Sequence, residues 1–300
     1  MGSVETCSTT GRVEMWNGTT DGERAFLDPH TGKTNLNPKK THSVTIHDIR
    51  QQSPVPNLND NSYEMDVYPT KLSEEQLLNN TTPEGKQFIR DNYWPELVKL
   101  LEAKTGVAQG NVIPWHFSVR KQTLGYHPDE IFFMKTGVSQ PASTVHIDNS
   151  HATAEDHLRR ELGQEEAERR LAAHKRWAIV NVWRPINEGG VKRWPLMVVD
   201  HSKVEGGFSF EKHTAAVWRS NNPEYYKSHD NFIKPDPGYV FRYVSNMMPD
   251  EVLIFKDYDS RKDKVRGTPH GGFQDDATTD DAPARRSIEC RLFVFWDDEA

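Results

Sequence analysis

From Trp177 onward the chain reads as a succession of short β-strands separated by Gly, Pro, Asn and Asp turns, and no other feature restricts the possible folds so strongly. The strand segments are 177–184, 196–200, 239–243, 251–255 and 287–296. Their β-branched and aromatic residues suit a pleated, half-buried surface, and so many strands divided by turns argue for a sandwich or barrel. No repeat, low-complexity tract or linker divides the 300 residues, a length that all-β units reach as one domain. The expectation is therefore a mainly β protein with flanking helices. Residues 1–300 form a single domain, in which 1–110 are an N-terminal extension and helix packed on a core of 111–300.

The first part of the chain carries less chemistry. Residues 43–47 read as a strand with Val44 and Ile46 on one face, and His47 and Asp48 as surface groups. Thr82 and Pro83 open a helix whose apolar positions, Ile89, Tyr93, Leu97, Leu100 and Leu101 among them, recur at helical spacing. Pro95 should kink it or split it. A second helix should start at Thr153, capped by its hydroxyl, and run through the charged segment 155–175 as a solvated face.

Between the two helices stands Val145-His146-Ile147-Asp148. Its alternation is that of a strand, so His146 and Asp148 share one face and can converge on one ion. With a further histidine such as His270, in Thr268-Pro269-His270-Gly271-Gly272, they would make two imidazoles and one carboxylate. That donor set leaves coordination positions open, as in non-haem Fe(II) oxygenases. The blander readings are a chance His-x-Asp among thirteen histidines and a water-exposed turn histidine at 270.

Near the carboxyl end, alternation over 285–295 puts Arg285, Ser287, Glu289 and Arg291 on one face and Ile288, Cys290 and Leu292 on the other. Guanidiniums turned inward from a core strand need an anion, and a carboxylate suits a guanidinium flanked by a hydroxyl. The alternatives are an internal ion pair with Glu289 and an outward polar face.

Composition narrows the partners. The formal charge of −7 is spread through interspersed acidic and basic residues, which gives no nucleic-acid surface and leaves a small molecule as the expected ligand. No apolar run is long enough to span a membrane and the first residues do not form a secretion signal, so a soluble, cytoplasmic protein is expected. Gly2 followed by Thr6 fits the short myristoylation pattern, with Cys7 as a further acyl acceptor. Cys7 and Cys290 are too few for a disulfide framework and are expected as thiols. Nothing in the sequence sets an oligomeric state.

Several blocks in order resemble one family. They are residues 145–150, Asn181-Val182-Trp183-Arg184-Pro185-Ile186, residues 255–260, Thr268-Pro269-His270, and 285–291 with its Arg285-Arg286-Ser287. They resemble the Fe(II)/2-oxoglutarate-dependent oxygenases, and within them the fungal AsaB-like hydroxylase/desaturase family, which includes a gibberellin desaturase and is related to the CmcJ-type protein. The resemblance spans roughly residues 110–296. It implies a double-stranded β-helix, or jelly roll, with His146, Asp148 and His270 as iron ligands. Arg285 and Ser287 would hold the distal carboxylate of 2-oxoglutarate, with Arg291 as a competing holder. It is the resemblance that singles out His270 among the histidines. Fe(II), 2-oxoglutarate and O2 would together hydroxylate, desaturate or cyclise a small secondary-metabolite intermediate. Two other readings stand beside it: a 2-oxoglutarate-independent metal enzyme on the same fold, and a non-catalytic accessory protein. Trp115, Phe117, Phe132, Phe133, Tyr239 and Tyr243 suit an apolar pocket or a core. Arg120, Lys121 and Lys135 suit a substrate carboxylate or solvated surface.

Overall fold

A computed structural model of the chain describes residues 8–28, 31–125, 140–148, 153–220, 222, 229–262 and 267–297. Gly2, Thr6 and Cys7 of the acylation pattern, together with Phe132, Phe133, Lys135, Asn149 and Ser150, lie outside the described residues. One sheet has five strands in the order β3 (Tyr63–Val67), β11 (Glu251–Asp259), β6 (Arg176–Pro185), β14 (Arg286–Trp296) and β4 (Val112–Lys121). The other has nine. It runs from β13 (Gln274–Asp275) through β1 (Ser8–Met15), β2 (Lys40–Asp48), β10 (Val240–Tyr243) and β7 (Leu196–Asp200). It continues through β12 (His270–Gly272), β5 (His146–Ile147) and β9 (His229–Ile233) to β8 (Thr214–Trp218). All pairings are antiparallel except β10 with β2.

The two sheets pack face to face as a jelly roll. Trp183 of β6, Leu253 and Phe255 of β11 and Tyr63 of β3 meet Leu196 and Val198 of β7 in one buried cluster between the sheets. Side-chain alternation assigns the remaining faces. Ile288, Cys290, Leu292 and Val294 of β14 turn outward, where they join Ile89, Tyr93, Leu97, Leu100 and Leu101 of helix α2 (Pro83–Thr105). Fully burying each such side chain is worth about 1.5–3 kcal/mol, so this amphipathic helix is held by its tertiary contacts. Thr82 caps it by accepting from the Gly85 N–H, and Gly106 ends it in the left-handed region.

Four local expectations are corrected. Helix α2 runs on through Pro95, because burial of Tyr93 on one side and Leu97 on the other keeps both halves on the same sheet. The second charged helix is two, α3 (Ala154–Leu162) and α4 (Gln164–Ala173), broken at Gly163 with φ 84°. Thr153 precedes α3 without its hydroxyl closing the first turn. Asp48 is buried, not at the surface: it accepts from the Arg50 N–H at 2.9 Å and from the Ser245 hydroxyl.

Two charged groups tie the five-stranded sheet together. Arg184 is fully buried and donates to the Tyr93 hydroxyl at 2.9 Å, the Pro249 carbonyl at 2.5 Å and the Tyr68 carbonyl at 2.6 Å, which anchors α2. The Trp183-Arg184 block thus serves packing and hydrogen bonding. Asp259 is also fully buried and accepts from Arg176 and Lys256, each at 2.6 Å. Burial alone would raise its carboxyl, but the hydrogen bond from Arg176 and the charge and hydrogen bond of Lys256 outweigh that and hold it below its ordinary value.

Arg184→Met strands two backbone carbonyls, and urea unfolding should show a loss of about 2–5 kcal/mol. Unchanged stability would refute the anchoring role. The depressed Asp259 carboxyl stabilises the fold above the ordinary carboxyl pKa of 3.8, and this contribution disappears as pH falls through its lower folded value. Asp259→Asn should accordingly flatten the acid limb of the stability profile.

Candidate metal centre

The register of β5 on β12 sets His146 directly opposite His270. The pleat then turns both imidazoles toward the five-stranded sheet, while Val145 and Ile147 enter the core on the opposite face. The two rings are 4.6 Å apart, centroid to centroid. Asp148, one residue past β5, places Oδ1 3.2 Å from His146 Nε2 and Oδ2 3.9 Å from His270 Nε2. One donor atom from each of the three falls within 4.8 Å of the others. Adjacent donors around an ion held at about 2.1 Å lie roughly 3 Å apart, so modest closure fits the set to a metal.

Backbone carbonyls orient both rings. His146 Nδ1 lies 2.7 Å from the Thr144 carbonyl and His270 Nδ1 lies 3.0 Å from the Thr268 carbonyl. A carbonyl only accepts, so each Nδ1 carries a hydrogen; Nε2 of neutral His270 then keeps a lone pair toward Asp148, while Nε2 of His146 bears a proton shared with the Asp148 carboxylate at 3.2 Å. Such bonds fix tautomer and ring direction in metal sites. Gly271 permits the close approach of the strands, since a Cβ there would lie 3.2 Å from the Thr144 carbonyl oxygen.

The electrostatics hold His270 and Asp148 in their ligand forms, and His146 would release a proton to a metal. Burial, reinforced by the charge of His146, pushes His270 down to about 3, so its imidazole is neutral near pH 7. For His146 burial acts the same way, but the hydrogen bond and charge of Asp148 outweigh it and raise the pKa. Burial would raise Asp148, yet the Arg291 charge and the hydrogen bond from His146 hold it well below the carboxylate range. An ionised carboxylate and neutral imidazoles are what a divalent cation requires.

A cavity opens beside this set, and Arg120, Arg285 and Glu289 line it with the triad. Arg285 is 2% exposed and donates from Nε to the Ser287 hydroxyl at 3.2 Å and from Nη1 to the Trp194 carbonyl at 2.7 Å. Trp194 adopts φ 50°, a sparse conformation for a bulky residue, and so presents that carbonyl. The Arg285 guanidinium also lies over the Trp183 ring, 5.1 Å from its centroid. Among the described residues no carboxylate lies within ion-pair distance of it, and burial, with the Arg120 charge adding, pushes its pKa down to about 9.

Arg291 is differently placed. Its Nη2 meets Asp148 Oδ2 at 2.5 Å and Glu289 Oε1 at 3.1 Å. The internal ion pair weighed from the sequence therefore exists, at Arg291 and not at Arg285. Sequence reasoning gave no role to Asp257, which is fully buried with Oδ1 4.0 Å from His270 Nδ1. Burial, then the Asp148 charge, raises its carboxyl well above the ordinary value. An acid directly after the apolar run Val252-Leu253-Ile254-Phe255 and Lys256 was the available signal. Trp115, Phe117, Tyr239 and Tyr243 pack in hydrophobic clusters, as the core reading expected.

A jelly roll with two histidines and one aspartate converging between its sheets carries the donor set of the non-haem Fe(II) oxygenase class. Its particular branch follows from the chain's relatives. Residues 15–295 match the family described as "Oxidoreductase/YMDC permease-like domain". The chain is 35% identical over 298 residues to Oxidoreductase R1 of a Phoma species, covering 96% of this chain and 98% of that one. It is 30% identical over 272 residues to the hydroxylase/desaturase efuI of Hormonema carpetanum, covering 86% and 85%. The protein belongs to this family of fungal oxidoreductases and hydroxylase/desaturases. Its fold is that of the iron and alpha-ketoglutarate-dependent endoperoxidase NvfI, with a TM-score of 0.76 and 24% identity over 97% of this chain and 99% of that one. No described helix is long and apolar enough to cross a membrane.

The carbonyl contacts make a direct prediction for the metal-free protein. Long-range 15N–1H NMR between about pH 5 and 8 should show His270 as the neutral Nδ1–H tautomer. An Nε2–H tautomer would contradict the orientation described above.

Proposed function

We propose that His146, Asp148 and His270 hold Fe(II), and that the enzyme oxidises a small secondary-metabolite intermediate with 2-oxoglutarate and O2. The observation that carries the reading is the convergence of two imidazole Nε2 atoms and an ionised carboxylate on one point, beside a buried guanidinium with no carboxylate of the described residues in ion-pair distance. Fe(II) bound there supplies the O2-activating oxidation that removes hydrogen from the substrate.

The chain's own residues do the positioning. Thr144 and Thr268 aim the imidazoles, and Arg291 keeps Asp148 ionised and fixes one of its oxygens. Arg285, steadied by Ser287 and the Trp194 carbonyl, receives the distal carboxylate of 2-oxoglutarate, a role that its free donors suit better than those of Arg291. The apolar space between the sheets limits water and strengthens these charge interactions. In this reading residues 1–300 work as one unit in the cytoplasm, where the buried Cys290 thiol stays reduced. Hydroxylation, desaturation and cyclisation share this first hydrogen abstraction.

The test uses Mn(II) binding, followed by electron paramagnetic resonance, and 2-oxoglutarate turnover to succinate with Fe(II) and ascorbate. His146→Ala and Asp148→Ala should lose stoichiometric Mn(II) binding and reduce turnover about a thousandfold or more, equivalent to ~4 kcal/mol. Full turnover in either variant would refute the ligand assignment. Arg285→Met should weaken 2-oxoglutarate binding about tenfold to a hundredfold without abolishing Mn(II) binding.

A further inference from the structure

Arg120 is the charged group of the cavity that this function leaves unused. It stands on β4 directly across from Ser287 of β14, so it shares the inward face with the residues around Arg285. Its hydrogen bond, from Nη1 to the Gln140 carbonyl at 2.7 Å, occupies one of five guanidinium N–H groups. No carboxylate among the described residues lies within ion-pair distance of it, although it lines the same cavity as His146, Asp148 and His270. Burial lowers its pKa, and the charges of Glu289 and Asp148 act in the opposite direction.

The charge balance points the same way. Three guanidiniums, of Arg120, Arg285 and Arg291, face two carboxylates, of Asp148 and Glu289, and Arg291 contacts both carboxylates. Adding a divalent cation and a dianionic co-substrate leaves the surplus of one positive charge unchanged. Two guanidiniums lining one cavity without a carboxylate of the described residues in ion-pair distance, the charge of Arg120 lowering the pKa of Arg285, are stabilised by an anion placed between or beside them.

We propose that Arg120 is a second carboxylate-binding residue of this cavity. The carboxylate it takes has two sources, the distal group of the co-substrate shared with Arg285, or an acid group on the target metabolite. The proposal rests on the oxygenase reading above. A purely structural Arg120, serving the Gln140 carbonyl alone, would affect stability and leave carboxylate binding as it is.

The experiment is calorimetric titration of the Mn(II)-loaded protein, comparing wild type with R120M and R120K. The ligands are 2-oxoglutarate, 2-oxobutanoate, which lacks the distal carboxylate, and benzoate added to the Mn(II)/2-oxoglutarate complex. R120M should weaken a carboxylate about tenfold or more, with partial recovery in R120K. Weakened 2-oxoglutarate with unchanged 2-oxobutanoate assigns Arg120 to the co-substrate. Unchanged 2-oxoglutarate with lost benzoate assigns it to an acidic metabolite. If no carboxylate binds R120M more weakly than wild type, including the case in which benzoate binds neither, the proposal is wrong. Mn(II) affinity separates the two levels: equal metal binding with unaltered carboxylate affinities defeats Arg120 alone, whereas a wild type that holds no Mn(II) defeats the oxygenase reading. Should R120M fail to fold, R120K and R120Q carry the same comparison.

Discussion

The short pairing of β5 with β12 is the constraint on which the site depends. It spans few residues, yet its register decides that His146 and His270 lie opposite one another and on the inward face. A slip of β5 by one residue would turn the His146 imidazole into the cluster that holds Val145 and Ile147 and part it from His270. The neighbouring strands β7 and β9 hold that register from both sides, through His270 opposite Val198 and His146 opposite Phe232. The two carbonyl contacts to Nδ1 come from residues two positions earlier on the same chain segments. The backbone that sets the register therefore also sets the tautomers.

Around this pair the fold buries an unusual amount of charge, and the arrangement follows a consistent division. Arg184, Arg176 and Asp259 are engaged by hydrogen bonds on and around the five-stranded sheet and contribute to its stability. Arg291 is engaged with two carboxylates and tunes one of them. Arg285 has hydrogen bonds to a hydroxyl and a carbonyl but no carboxylate of the described residues within ion-pair distance. A buried cation kept in that state costs stability, and a ligand that supplies the missing anion recovers it. This difference between satisfied and unsatisfied guanidiniums separates packing from binding in this protein.

Much of the architecture was legible because burial imposes periodicity. The alternation over 285–295 correctly divided the face of Ser287, Glu289 and Arg291 from that of Ile288, Cys290 and Leu292. The hydroxyl and proline opening α2 were read correctly for the same local reason: a helix start exposes N–H groups that particular side chains satisfy. The errors arose where local chemistry competes with distant packing. Pro95 did not split its helix because its flanking residues are anchored, and the charged segment broke at Gly163, where left-handed backbone is allowed. Asp48 looked solvated until Ser245 and Arg50, remote and near in sequence, came to meet it.

By itself, the sequence determined the strand-rich fold class, the shared face of His146 and Asp148, and the gathering of polar groups on one face of the last strand, since each follows from spacing along one segment. Only the tertiary structure decided the rest. It brought His270 opposite His146, gave Arg291 to Asp148, left Arg285 facing a cavity and set Arg120 beside Ser287. The physical reason is that charge pairing and metal coordination depend on distances across sheets. Those distances are fixed by register and by the packing of one sheet on the other, and no periodicity within a single strand encodes them.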